Sequence, residues 1–229
     1  MASRQIISGV HVIAMGNANG FLIEAPDGLT LIDAGFPGKE ATVLAAIQAL
    51  GRSPEDLRHL ILTHAHPDHI GSAAAIVRAT GARLYAHALD QSLVETGGPF
   101  RPMQAAPGTL RRVLCRVLFD PAARTVPIKV DQTISDGEIL PIAGGIEVFH
   151  VPGHCAGQVA LLWLPGRMLF AADVFMNMMG LGDPIGFESL ETGRASQKRL
   201  AGLHFDAIGF GHGAVIQRDA MAKLKEATA

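Results

Sequence analysis

Aromatic side chains are scarce in this chain of 229 residues: they make up 5%, with a single tryptophan and a single tyrosine. Few platforms exist for stacking bases. With 19 basic against 21 acidic residues there is no general positive field, so nucleic acid is not an expected partner. Only two cysteines occur, Cys115 and Cys155, which excludes a disulfide framework. Long apolar runs are missing too. The longest, Val159 to Leu164, falls far short of the ~20 residues of a membrane helix. The start, Met1-Ala2-Ser3-Arg4-Gln5-Ile6-Ile7, lacks an apolar core of signal-peptide length. A cytoplasmic protein without a membrane partner is therefore expected. Charged residues are 17% against 48% hydrophobic, which excludes intrinsic disorder. What the chain does hold is 26 glycines, for tight backbone turns, and ten histidines.

At about 150 residues per domain the length allows one unit, taken here as 1–229. Val10 to Met15, Gly20 to Ala25 and Leu29 to Asp33 read as strands cut by Gly-Asn and Pro-Asp-Gly turns. Lys39 to Leu50 has apolar residues at helical spacing, and Arg58 to Thr63 is a continuous buried strand. Asp68 to Thr80 reads as one helix closed by Gly81, and Arg83 to Ala86 as a strand. The second half repeats the scheme. Strands are expected at Ile146 to Val151, Val159 to Leu164, Met168 to Ala172 and Ala207 to Phe210, with helices near Leu190 to Leu203 and Gln217 to Ala227. Two β-rich halves with helices outside suggest two sheets packed between helical layers. Residues 95–130 break this rhythm with five prolines, one helix-like stretch from Thr109 to Phe119 and an excess of arginine. Such a segment is a lid or insertion, or else a solvated or subunit-contact helix that leaves room for a homo-oligomer.

Chemistry concentrates in Thr63-His64-Ala65-His66-Pro67-Asp68-His69-Ile70-Gly71, where a buried strand gives way to a helix. His64 and His66 are two apart, so an extended backbone points both rings the same way. Pro67 suits an early helical position, and Asp68 and His69 turn in on the first turn. Four ligand-type side chains in six residues could reach two metal ions, and a strand end offers no packing reason for them. His154 follows another strand, Asp173 ends a third and His212 follows a fourth, flanked by Gly211 and Gly213. All share one address, the end of a strand.

The pattern His64-x-His66-x-Asp68-His69, then His154, Asp173 and His212, resembles the metallo-β-lactamase superfamily, over nearly the whole chain from Leu31-Ile32-Asp33-Ala34-Gly35 onward. The resemblance implies an α+β fold, a four-layer αβ/βα sandwich with a two-metal site at its edge. It implies that His64, His66 and His154 hold one ion, that Asp68, His69 and His212 hold the second, and that Asp173 bridges them. Asp33 matches a position that supports the ligands from outside. His150, four residues before His154, is read in the same supporting role. Imidazole and carboxylate suit two Zn(2+) per chain, with Fe or Mn as alternatives. Two ions ~3.5–4 Å apart can share a hydroxide, so attack on a carbonyl needs no serine or cysteine nucleophile. Asp68 is the expected catalytic residue, orienting the attacking oxygen.

Three departures matter. Cys155 stands where the family usually has Thr or Ser, and reads as a filler for that hydroxyl. After His212 there is room for one helix, not for the helical domain of glutathione-thioester hydrolases. Nor is there room for the inserted domain of RNA-processing members. His11, His59, His87 and His204 have no spacing argument and read as structural. The expected activity is hydrolysis of a small ester, thioester, lactone or amide. Its rivals are a mononuclear-iron oxygenase of persulfide dioxygenase type using His64, His154 and Asp173, a β-lactam hydrolase, and a module that keeps the site without turnover. The arginines of 95–130 and the loop Met176 to Gly182 are expected to border the pocket. They would favour a small anionic substrate with an apolar portion.

Overall fold

The computed structural model describes residues 3–120 and 122–228; Pro121, one of the five prolines of segment 95–130, lies outside them. The chain opens with β1 (Arg4–Ile7), β2 (Val10–Met15), β3 (Ala18–Ala25) and β4 (Gly28–Ile32), an antiparallel run. Then come α1 (Glu40–Ala49), β5 (Leu57–Ile61), α2 (Pro67–Ile70), α3 (Ala73–Thr80), β6 (Arg83–His87) and α4 (Ala88–Thr96). A short β7 (Gln104–Ala105), α5 (Thr109–Leu118) and β8 (Gln132–Ile134) follow. All of these strands but β7 form a seven-stranded sheet in the order β1-β2-β3-β4-β5-β6-β8, parallel from β4 onward. The second half adds β9 (Ile139–Leu140), β10 (Ile146–His150), β11 (Val159–Trp163), β12 (Met168–Phe170), β13 (Gly186–Phe187), α6 (Leu190–Ala201), β14 (Ala207–Gly209) and α7 (Ala220–Thr228). Its sheet has the order β14-β12-β11-β10-β9, while β7 and β13 pair separately.

Strand alternation explains why the central strands are apolar throughout. In β3, Phe21 and Ile23 face the second sheet while Leu22 faces the outer helices. In β4 and β5, Ile32 and Ile61 point inward, and Leu31 and Leu60 point outward onto Val43, Ile47 and Ile76 of α1 and α3. Across the gap, β11 sends Val159, Leu161 and Trp163 inward, and Ala160 and Leu162 toward Leu200 and Leu224 of α6 and α7. Phe21 and Phe170 meet between the sheets with ring centroids 5.0 Å apart. The result is helix, sheet, sheet, helix: the expected four-layer αβ/βα sandwich.

Several local expectations need correction. The helix expected over Asp68–Thr80 is two helices, parted at Gly71–Ser72. Ser72 Oγ donates to Phe36 O (2.6 Å) and accepts from Lys39 N–H (2.7 Å), and Gly71 packs so closely on Pro37 that a Cβ would overlap it. The strand expected at Met168–Ala172 stops at Phe170. A short 3₁₀ turn, Ala172–Val174, replaces its end, with Ala172 at φ +48°. The short strands β1, β8 and β9 and the helix α4 have no counterpart among the elements expected from the sequence. Among the described residues no helix is long and apolar enough to cross a membrane.

Candidate metal centre

The C-terminal ends of four strands define one edge of the sandwich. Level registers place them together: Ile32 pairs with Ile61 in the first sheet and Phe170 with Gly209 in the second. Val159 N–H donates to Thr63 O (2.8 Å) and Asn19 N–H to Gly211 O (2.8 Å), which joins the sheets at this edge. His64 and His66 follow β5, and Asp68 and His69 lie in α2. His154 follows β10, Asp173 sits in the turn after β12, and His212 follows β14. Within this arrangement His66 Nδ1 lies 3.0 Å from His154 Nε2. His69 Nε2 lies 3.4 Å from His212 Nε2, and His212 Nε2 is 3.2 Å from Asp68 Oδ2. Asp173 reaches across, with Oδ2 3.3 Å from His212 Nε2 and 3.6 Å from His154 Nε2. All seven sequence-derived candidates therefore converge.

Outer hydrogen bonds decide which ring nitrogens face the centre. His69 Nδ1 donates to Asp33 Oδ2 (2.9 Å), His154 Nδ1 to Gly186 O (2.8 Å) and His212 Nδ1 to Asn17 O (2.8 Å), which turns each Nε2 inward. Thr63 Oγ1 lies 3.1 Å from His64 Nδ1 and itself donates to Asp33 Oδ2 (2.8 Å). Asp33, at φ +61°, thus ties β4 to β5 and fixes His69. Gly211 leaves the space: a Cβ there would overlap Asp173 Oδ1 and come within 2.7 Å of His69 Cε1.

Charge divides the seven. Burial, reinforced by the neighbouring imidazoles, holds His64 well below its ordinary value, lowers His66 to about 3 and lowers His154. These three face the centre as neutral rings. In the other half burial opposes charge, but Asp68, Asp173 and Asp33 outweigh it and raise His69 to about 9. Asp173 and Asp68 likewise raise His212, and the two histidines in turn depress both carboxyls. His64 Nε2, His66 Nε2 and Asp173 Oδ1 are buried without a hydrogen-bond partner. His66 brings its Nδ1 to the centre, so it is His64 Nε2 and Asp173 Oδ1 whose unpaired lone pairs cost free energy there unless an ion takes them. Ligands ~2.0–2.1 Å from a tetrahedral ion lie about 3.3 Å apart, and the separations of 3.0, 3.2, 3.4 and 3.8 Å within the two groups lie around that value. His64, His66 and His154 make one such group, and Asp68, His69 and His212 another. The residues present fit divalent metal.

Other expectations fare differently. His150 is not brought in. Its Nε2 lies 2.8 Å from Ala156 O and its ring stacks on His87 at 4.1 Å, so it braces the loop rather than a ligand. Arg101, expected to grip substrate, already donates to Asp90 Oδ1 (2.7 Å) and to Leu89 O. Segment 95–130 does approach the centre: Phe119 stands 5.7 Å from the His66 ring, and Cys115 of α5 lies against Gly186. Sequence reasoning missed Thr63, Glu188 and above all Asp90. No spacing marked them, since their partners come from distant loops.

This fold with this edge defines a protein of metallo-β-lactamase type. The model of the metallo-β-lactamase superfamily matches residues 14–228, and the chain belongs to that superfamily. It is 28% identical over 232 residues to the probable metallo-hydrolase YflN of Bacillus subtilis, covering 93% of this chain and 86% of the relative. A hydroxyacylglutathione hydrolase of Rhizobium meliloti is 28% identical over 169 residues, 72% of this chain and 52% of that protein. Among solved structures, a metallo-β-lactamase of Cronobacter sakazakii with a HARLDQ motif superposes with a TM-score of 0.73 at 24% identity, over 93% of this chain and 78% of that one.

Proposed function

We propose that the protein is a two-metal hydrolase acting on a small ester, thioester, lactone or amide. The carrying observation is the convergence of five histidines and two aspartates on one buried point, with three of their polar atoms left unpartnered. His64, His66 and His154 would hold one ion. Asp68, His69 and His212 would hold the other, with Asp173 between them. Divalent ions so held supply Lewis acidity toward a carbonyl oxygen and acidify water at neutral pH. The chain itself does the rest. Asp33, Gly186 O and Asn17 O fix the ring orientations. Asp68 is the outlier in exposure: its side chain is 24% accessible, against 4% or less for His69, His212 and Asp173. It is therefore the group placed to orient an entering water and carry its proton, as a general base must be.

YflN is named a probable metallo-hydrolase and matches this chain nearly end to end, which supports the reading. The substrate is expected to be small, and anionic with an apolar portion. Arg111 stands beside Gly182 in the methionine loop, and Arg112 and Arg116 lie on the same helix. The test is elemental analysis of protein purified without added metal, then turnover on esters, thioesters, lactones and a β-lactam. About two zinc equivalents with ester or lactone turnover support the proposal. One iron per chain with oxygen consumption overturns it in favour of the oxygenase, and metal without turnover in favour of a binding module.

A further inference from the structure

Outside the seven, a buried polar cluster lies on the flank of the three-histidine half. Asp90 of α4 is 1% exposed. Its carboxylate accepts from Ala65 N–H (2.9 Å), Gly157 N–H (3.1 Å), Cys155 Sγ–H (3.2 Å) and Arg101 Nη1 (2.7 Å). Ala65 stands between His64 and His66, while Cys155 and Gly157 follow His154. The two peptides belong to different sheets, one leaving β5 and the other linking β10 to β11. One carboxylate spans both. The approach is tight enough that a Cβ at Gly157 would overlap the Asp90 carboxyl, so glycine is required there. Arg101 completes the cluster: it also bonds Leu89 O and lies 3.6 Å from Glu188 Oε1. The other oxygen of Glu188 accepts Ala156 N–H (2.8 Å). A carboxylate this deep stays tolerable because a guanidinium and three further donors satisfy it.

We propose that Asp90, clamped by Arg101, is the positioning residue of the three-histidine half, holding the His64–His66 peptide at a fixed distance from the His154 loop. The proposal rests on reading those three histidines as the ligands of one ion. Supporting groups of metal ligands typically govern affinity by about 10–100-fold. No hydrogen bond joins Asp90 to Asp68, His69, Asp173 or His212 among the described residues. Its effect should therefore be one-sided, which a general loss of stability would not be.

Metal-free protein is titrated with cobalt(II) by equilibrium dialysis and visible absorption. His154→Ala identifies the ion of the three-histidine half, and His212→Ala the other. Asp90→Ala should weaken the first ion by about tenfold or more and leave the second within about twofold. Equal weakening of both, or of neither, overturns the proposal. Should Asp90→Ala not fold, Asp90→Asn decides, because it keeps the shape and one acceptor oxygen. A smaller loss confined to the same ion supports the proposal, and an even loss overturns it. Hydrogen exchange without metal gives an independent readout: Asp90→Asn should speed exchange at Ala65 and Gly157, and unchanged protection at both overturns the proposal. A wild type that takes up no cobalt defeats the metal reading itself, and the exchange rates then still decide whether Asp90 holds the two loops.

Discussion

The two halves of the centre solve the same problem in opposite ways. His64, His66 and His154 form a neutral cluster in which burial suppresses protonation, and two of their nitrogens are left without partners. His69, His212, Asp68 and Asp173 form a charged cluster linked by ion pairs, with Asp173 Oδ1 still without a hydrogen-bond partner. The difference lies in the acidic residues: Asp68 and Asp173 pair with the imidazoles of the charged half and Asp33 stands behind His69, whereas Asp90 and Glu188, on the flank of the neutral half, bond to its peptides rather than to its rings. The neutral half thus offers free lone pairs to an entering ion. In the charged half, protons must leave His69 and His212 first, because only deprotonated imidazole can ligate. The first ion should therefore settle among the three histidines, and the second should bind more weakly at neutral pH.

The sharpest way to break this comparison is to remove the residue that gives the charged half its contact with solvent. Asp68→Ala should lower turnover by about 10²–10⁴-fold, the range for a lost acid–base group, while the far-ultraviolet circular dichroism stays that of the parent. Activity near the parent level would show that Asp68 has no part in the chemistry.

The next effect is on stability, measured as the melting temperature of metal-free protein against pH. His69 is raised to about 9, above its ordinary 6.5, so its contribution is full below pH 6.5 and fades as pH climbs to about 9. His66 is lowered to about 3. The unfolded chain then takes up a proton below pH 6.5 that the folded one refuses, and stability falls as pH drops from 6.5 toward 3. Stability should therefore peak near pH 6.5. Each of these two histidines contributes on the order of a few kcal/mol at most, since a tenfold change in proton affinity corresponds to about 1.4 kcal/mol. His69→Asn should make the alkaline limb shallower, with His212 carrying the remainder, and His66→Asn the acid one, with His64 and His154 carrying the remainder. A profile unaltered by either variant would mean that the two halves do not differ in charge.

A smaller, one-sided effect is expected from Gly211→Ala. The added Cβ pushes on Asp173 and His69, so the second ion should bind about 10–100-fold more weakly while the first stays bound. Dialysis against zinc checks this, and loss of both ions together would mean that Asp173 matters equally to each half.

The ligands of both halves were easier to read in the sequence than the support of the neutral half, for a physical reason. His64 to His69 sit within six residues at a strand end, and strand ends are marked by buried apolar runs that stop at glycine or proline. The sandwich itself was legible from runs such as Val159–Leu164, whose two faces are both buried. Asp90 was hidden because it occupies the buried stripe of α4, four residues before Val94, where an apolar residue would have announced the helix. The residue and its helix disappeared together. The break at Gly71–Ser72 depends on contacts with Phe36 and Pro37, more than thirty residues away, and no local pattern encodes them.

The smallest expected effect concerns Cys155. His66, Cys155 and Glu188 each place a ligand-type atom within 4.8 Å of the others, so the thiol could be mistaken for a metal ligand. Its surroundings argue otherwise. Burial, with the negative charge of Asp90 and Glu188, pushes the thiol well above its ordinary value, whereas a ligand must be thiolate. Its visible task is to donate to Asp90 at 3.2 Å, and a serine hydroxyl can donate there as well. Cys155→Ser should therefore keep both ions and change kcat/KM by less than about threefold, under the ~1 kcal/mol of a typical lost hydrogen bond. Cys155→Ala, which removes the donor, should slightly loosen the ion of the three-histidine half and leave the other unchanged. If Cys155→Ser instead loses one metal equivalent, the thiol is a ligand, and the neutral half is not built from histidines alone.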